Sequence, residues 1–302
     1  MNEEKITYQC ENVLITVSNP KNATNLVRLA AMITTPRATL HVLNITKSTY
    51  LIKGSREWRK GSQLVIKASH YANQLNRIAM PLAKTSTSIS KSIITTSKEL
   101  NADLIILGWF SYVTPLSVES SEIIDNVLRD SPCDTAVCKF RDNILKIEKI
   151  LIPTTEKIDE RTLMFADHIL KQTGATGELI HVVMKSSESE QKKAQKLLEN
   201  IAENFVCPVN KRIITSRSVV EGLIKASEKE DLILIEANPE WVFNEFLFGR
   251  IVDRVAEKTQ CSVVIFEARK ISTPTWSKFF FRGIKRKIII FLNKFLNIFK
   301  LF

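Results

Sequence analysis

The chain has 302 residues, 44% of them hydrophobic, and a formal net charge of +11. This composition is that of a globular protein, and the length allows two domains that each have a core. The excess charge is local, because nine Lys or Arg and no Asp or Glu occur from position 269 onward, so residues 1–268 carry 34 − 32 = +2. So small a charge on the folded part argues against a duplex-binding surface, and we expect no nucleic-acid partner.

The cysteines and the chain start indicate a reducing compartment. The five cysteines are an odd number and form no CxxC pair, which argues against structural zinc and against a disulfide framework. Residues 1–5 are acidic and polar with no apolar signal region behind them, and no run of about 20 apolar residues occurs before position 269. We therefore expect a cytoplasmic protein without a metal site.

The sequence repeats itself at an offset of 128 residues. Residues 103–106 (DLII) recur as 231–234 (DLIL), and residues 123–125 (IID) recur as 251–253 (IVD). A repeat this long is a duplicated domain rather than a solenoid unit, whose period is about 20–50 residues. The offset is larger near the start of each copy, so the first copy carries extra residues.

Each copy alternates short apolar runs with longer amphipathic stretches. In the first copy we predict strands at 13–17, 39–45, 78–82, 103–107 and 134–138, and helices at 22–34, 58–78, 88–100 and 120–129. In the second copy we predict strands at 150–152, 178–184, 208–214, 231–235 and 262–266, and helices at 159–172, 187–205, 217–229 and 249–258. Runs such as 104–107 are apolar on both faces, as in parallel strands covered by helices. The pattern predicts an α/β protein with two doubly wound, parallel, five-stranded sheets of Rossmann-like type.

The predicted domains are 1–145 and 146–268, followed by the tail, which we define as residues 269–302. In the tail, Arg282 and Arg286 lie on one side of a helix and most of the aromatic and aliphatic residues lie on the other. A basic amphipathic helix of this kind is typical of segments that lie on an anionic membrane. The predicted membrane-surface residues are Lys278, Arg282, Lys285, Arg286, Lys287, Phe291, Lys294, Phe295 and Phe299. The alternative is a helix that packs on the domains or on a second chain.

Four stretches carry a family resemblance: VLITVSNP at 13–20, LVRLAA at 26–31, ADLIILGW at 102–109 and LFGRIVDRV at 247–255. Together they resemble the universal stress protein family in tandem form, and most of all the pairs associated with membrane permeases. The resemblance implies an adenine-nucleotide alpha-hydrolase-like fold in each copy. It also implies an internal pseudo-dimer that pairs through the last strands, and a homodimer is a further possibility.

Family members that bind ATP have the pattern G-x2-G-x9-G-S/T after strand four, where glycines let backbone N–H groups approach phosphate. The aligned positions are Gly108, Ser111 and Ser121 in the first copy and Glu236, Pro239 and Gly249 in the second. Each copy keeps one glycine of three, and Glu122 follows the third position in the first copy. The family's acidic residue at the end of strand one is also absent, since those positions read Val17-Ser18 and Pro153-Thr154.

These departures disfavour ATP, and we predict no cofactor and no catalytic residue. Candidate nucleotide or anion positions remain at Thr154, Gly249, Arg250, Gly108, Ser111 and Ser121. The predicted function is a non-catalytic, universal stress protein-like regulatory module that the tail recruits to the inner face of the membrane, with a membrane transporter as a candidate partner. The alternatives are an ATP- or AMP-binding sensor with a residual site in the second copy, and a protein-interaction scaffold.

Overall fold

The computed structural model of the chain describes residues 8, 10–48, 54–109, 115–141, 146–184, 187–237 and 249–269, with the backbone alone for 115–121 and 249–251. We call residues 8–141 the first half and residues 146–269 the second half. Residues 1–269 form one compact unit. The predicted membrane-surface residues of the tail all lie outside the described residues.

In the described residues of the first half there are five strands and four helices. They are β1 (Asn12–Thr16), α1 (Pro20–Ile33), β2 (Thr39–Lys47), α2 (Arg56–Gln74), β3 (Ile78–Ser86), α3 (Ile89–Glu99), β4 (Leu104–Gly108), α4 (Pro115–Asp130) and β5 (Asp134–Lys139). Polar side chains begin the helices: the Asn19 side chain accepts a hydrogen bond from the Lys21 N–H at the start of α1, and Ser55 accepts one from Trp58 at the start of α2.

The second half repeats this order. Its elements are β6 (Lys149–Pro153), α5 (Glu160–Thr173), β7 (Thr176–Val183), α6 (Glu188–Ala202), β8 (Val209–Thr215), α7 (Val219–Ala226), a 3₁₀ turn (Ser227–Lys229), β9 (Leu232–Glu236), α8 (Gly249–Lys258) and β10 (Ser262–Glu267). The α/β class and the parallel strands predicted from the sequence are confirmed.

All ten strands belong to one sheet with the order β3-β2-β1-β4-β5-β10-β9-β6-β7-β8. Within each half every strand pair is parallel, and the halves join through an antiparallel pair, β5 with β10. Val137 lies opposite Ile265 in that pair, and their separation, 265 − 137 = 128, equals the sequence repeat. A pseudo-twofold axis therefore passes through this residue pair.

The repeated aspartates have one structural role in both halves. Asp103 Oδ2 accepts hydrogen bonds from the N–H groups of Glu11 and Asn12, both at 2.9 Å, just before β1. Asp231 Oδ2 accepts them from Glu148 and Lys149, at 2.7 and 3.0 Å, just before β6. A carboxylate that accepts two backbone N–H groups fixes the first strand against the fourth, which explains why the repeat contains it.

Two apolar layers cover the sheet, and each runs through both halves. One layer contains the buried side chains of α1, α2, α5 and α6, and the other contains those of α3, α4, α7 and α8. In the first layer the rings of Phe165 and Phe266 stack with centroids 4.1 Å apart, and Tyr8 packs edge-on against Phe165 at 5.2 Å. The apolar cores of the two halves are thus continuous.

A buried carboxylate also joins the halves. Asp134, at the start of β5, is fully buried and accepts hydrogen bonds from Tyr8 Oη at 2.6 Å, Arg161 Nε at 2.7 Å and the Arg269 N–H at 2.8 Å. Arg161 belongs to α5 of the second half, and Arg269 follows β10. The cluster therefore holds together the chain start, both halves and the end of the last strand.

Candidate functional site

Each half has a switch point in its strand order, at the carboxyl ends of its parallel strands. In the first half the order reverses between β1 and β4, and in the second half between β6 and β9. The strand connections leave these neighbouring strands toward opposite faces of the sheet, and the crevice between them is where ligands bind in open α/β sheets. Of the candidate nucleotide positions from the sequence, Gly108 and Thr154 lie at these two edges.

The cleft of the first half has a volume of about 210 Å³. Its lining residues are Thr16, Val17, Ser18, Leu43, Ile45, Ile89, Ile93, Leu107, Gly108, Ile123 and Ile124. Only Thr16 and Ser18 among these lining residues carry a polar side-chain group, and the Thr16 hydroxyl already donates to the Ile106 carbonyl at 3.4 Å. An aliphatic lining without a cation offers little to a phosphate chain.

A buried amide fixes the backbone of Val17, which lines this cleft. Asn44 Nδ2, on β2, donates to the Val17 carbonyl at 2.7 Å, immediately after β1. Gly61 of α2 passes so close to Asn44 that a Cβ atom at Gly61 would lie 2.0 Å from Asn44 Oδ1. The absence of a side chain at Gly61 is therefore required for α2 to pack here.

At the corresponding edge of the second half, Thr154 follows β6 and is 5% exposed. Its hydroxyl donates to the Ile180 carbonyl at 3.0 Å, and His181 Nδ1 lies 3.0 Å from the Thr154 carbonyl. The hydroxyl proton of Thr154 is thus already used within the fold.

Glu236 ends β9, at the switch point of the second half. Its Oε1 accepts a hydrogen bond from the Asp159 N–H at 2.8 Å, at the start of α5. The pKa of Glu236 is raised to about 7, mainly by burial and also by the charges of Asp159 and Glu267, although the hydrogen bonds from the Asp159 N–H and from Thr162 lower it. The carboxyl group takes up a helix N-terminus that could otherwise face a ligand anion.

The other predicted positions are placed as follows. Gly108 lines the first cleft, and Gly249 and Arg250 begin α8. Ser121 lies inside α4 rather than at its start, because α4 already begins at Pro115, so the backbone N–H of Ser121 is not at a helix N-terminus. Ser111 lies outside the described residues.

Two groups of charged residues were not predicted from the sequence. One is the Asp134 cluster, and the other is a pair of carboxyl groups, Asp125 on α4 and Asp253 on α8, each with an oxygen that accepts no hydrogen bond. The described ranges contain no group of three His, Cys, Asp or Glu residues that could hold a metal ion. Among the same residues, no helix has the length and apolar character needed to cross a bilayer.

Comparison with known proteins identifies the first half. The model of the universal stress protein family matches residues 10–139. Residues 10–139 belong to the universal stress protein family. A crystal structure of a universal stress protein from Archaeoglobus fulgidus DSM 4304 matches 87% of this chain and 98% of its own, with a TM-score of 0.62 and 17% identity. The second half therefore shares the universal stress protein fold.

Two further relatives are membrane transport proteins. The Na(+)/H(+) antiporter NhaS5 of Synechocystis sp. is 22% identical over 267 residues, which are 84% of this chain and 38% of the antiporter. The chain thus spans well under half of that relative's length. The cytoplasmic domain of a prokaryotic cation chloride cotransporter has the same fold, covering 86% of this chain and 96% of that domain, with a TM-score of 0.61 and 13% identity.

Proposed function

We propose that this chain is a non-catalytic regulatory module of the universal stress type that acts on a membrane cation transporter from the cytoplasmic side. The observation that carries the proposal is the match to a Na(+)/H(+) antiporter, which extends over 84% of this chain and so includes both halves.

The chemistry of the clefts supports a role without catalysis. The lining of the first cleft is mostly aliphatic, and at the switch point of the second half the Thr154 hydroxyl and the Glu236 carboxyl group are bound within the fold. A nucleotide would need donors for its phosphates at these edges. A module that acts through its protein surface does not need donors for phosphates.

The tail supplies a route to the membrane surface. It carries nine Lys or Arg without an acidic residue, together with several aromatic residues. Each basic residue near an anionic bilayer contributes about 1 kcal/mol of attraction, and the attraction weakens with salt. Recruitment by the tail would raise the local concentration of the module beside a transporter.

Co-sedimentation with lipid vesicles tests the membrane part of the proposal. Two full-length variants receive the same charge change: Lys285, Arg286 and Lys287 to Glu in the tail, or Lys192, Lys193 and Lys196 to Glu on the exposed face of α6. We expect the unchanged chain and the α6 variant to pellet with phosphatidylserine-containing vesicles at low salt, and the tail variant to stay in solution. Equal pelleting of both variants would refute recruitment by the tail.

A nucleotide sensor is the second candidate, and one observation favours it. Gly249 begins α8, so this helix keeps the glycine start that an anion site uses. Calorimetry with ATP and AMP on the full chain, beside a Gly249→Ala variant, tests it. Binding that the variant abolishes would make the second half a nucleotide site, and no heat at millimolar nucleotide would exclude one.

A further inference from the structure

Two aspartates occupy equivalent places on either side of the pseudo-twofold axis. Asp125 of α4 and Asp253 of α8 are separated by 253 − 125 = 128 residues, like Val137 and Ile265, which pair at the axis. Both helices bury their apolar side chains in the one layer that also contains Val137 and Ile265. The two carboxyl groups therefore lie on the same face of the sheet, one in each half.

In each carboxyl group, one oxygen atom accepts no hydrogen bond within the fold. Asp125 is 7% exposed and its Oδ1 accepts no hydrogen bond. Asp253 is partly buried, and its Oδ1 accepts none either. A buried carboxylate without partners is costly, and protonation is the usual way in which a protein removes that cost.

The surrounding charges do not neutralise the pair. The pKa of Asp125 is raised to about 7, first by burial, then by the charge of Asp253 and least by that of Glu122, while Arg129 lowers it. Burial and then Glu257 raise the pKa of Asp253 to about 7.

Among the side chains that the structure describes, those of the neighbouring elements offer no further counter-charge, and Arg254 of α8 is exposed. The amino group of Lys139, on β5, donates to the carbonyls of Ala256 and Glu257 at the end of α8. The charged side chains of the neighbouring helices α3 and α7 point to solvent; they are Lys91, Lys98, Glu99, Glu221 and Lys225. No third ligand group for a metal ion accompanies the two carboxyl groups in the described part of the chain. A proton is therefore the cation that this pair can hold.

We propose that Asp125 and Asp253 form a proton-binding pair at the pseudo-twofold axis, and that loss of the proton weakens the packing of α4 and α8 on the sheet. Two like charges in a dry environment repel each other, and their protons leave in coupled steps. The residues before Asp125, Ile123 and Ile124, line the first cleft, so a shift of α4 changes that cleft. This proton-binding pair depends on the fold alone and does not require the proposed transporter partner.

A carboxyl titration of the full chain tests the pair directly. The chain is labelled with ¹³C at the aspartate side-chain carboxyl and titrated by NMR from pH 4.5 to 9, as are Asp125→Asn, Asp253→Asn and the control Asp130→Asn, an exposed position on α4. We expect two signals with midpoints within about one unit of pH 7, each missing from one variant. Asp253→Asn should lower the midpoint of Asp125, and Asp130→Asn should leave both signals in place. Titration of both groups below pH 5, or a midpoint of Asp125 that ignores Asp253→Asn, would overturn the pair.

Hydrogen exchange then tests the structural consequence. After correction for the intrinsic pH dependence, amides of α4 and α8 should lose at least tenfold in protection between pH 6 and pH 8 in the unchanged chain. The double variant Asp125→Asn/Asp253→Asn should keep its protection, because both side chains stay neutral and similar in shape. Equal protection at both pH values in the unchanged chain would contradict the proposed loosening.

Discussion

Replacing Arg161 with Met should destabilise the protein strongly, because it removes the cation beside a fully buried carboxylate. Asp134 has a side chain with 0% exposure, and Arg161 Nε lies 2.7 Å from its Oδ1. Removing one partner of a buried ion pair costs about 3–5 kcal/mol. Because the Arg161 side chain is 38% exposed, water screens part of the interaction, and we expect the lower end, about 3 kcal/mol.

Urea unfolding at pH 7 measures this loss. With a slope of about 1–3 kcal/mol per molar urea, the midpoint should fall by about 1 M or more. Lys192→Met is the matched control, because Lys192 pairs with Glu188 at 2.6 Å but both side chains are at least 75% exposed, and its loss should be below about 1 kcal/mol.

A double variant separates the pair from the packing. Asp134→Asn removes the buried charge and keeps an acceptor for Tyr8, so Arg161→Met should cost less in that background than alone. If Arg161→Met costs no more than Lys192→Met, the buried pair does not join the halves and our account of their junction fails.

Two further predictions concern a close approach and the thiols. Gly61→Ala should lower the free energy of unfolding by about 1–3 kcal/mol in the same assay, because its Cβ atom would lie 2.0 Å from Asn44 Oδ1 and disturb the hydrogen bond from Asn44 to Val17. Gly108→Ala is the control, since its Cβ atom would lie at an ordinary 3.5 Å from Leu26. Equal losses in the two variants would contradict the role of Asn44. Ellman's reagent should modify Cys207 alone in the folded chain, because the other four cysteines are buried. The reaction should be slow, because burial raises the pKa of the Cys207 thiol. Fast reaction of a second thiol would contradict the core described above.

The element order could be predicted from the sequence because each buried strand is a continuous apolar run. The predicted ends of two elements were wrong, because the apolar pattern stops before the element does. The strand predicted at 78–82 continues to Ser86, since Lys84, Thr85 and Ser86 belong to an edge strand whose partly exposed residues need not be apolar. The helix predicted from 120 begins at Pro115, a residue that favours the first turn of a helix but interrupts an apolar pattern.

The contacts at the two switch points could not be predicted from the sequence. The broken glycine pattern indicated poor phosphate sites, yet nothing in it shows that Glu236 binds the start of α5. The repeat marks Asp125 and Asp253 as equivalent without showing that Asp125 is buried and Asp253 partly buried. Tyr8 and Asp134 lie 126 positions apart, and only the antiparallel join of the halves brings Arg161 to them.

We propose that the chain regulates a cation transporter at the membrane, and ion exchange in the membranes of its own cells tests this proposal most directly. Everted vesicles from cells with and without the chain are compared for sodium-driven proton movement between pH 6 and pH 8.5. We predict a shifted pH profile without the chain, restored by adding the purified full chain and not by the variant in which Lys285, Arg286 and Lys287 are replaced by Glu. Identical exchange at every pH, with or without the chain, would contradict the account.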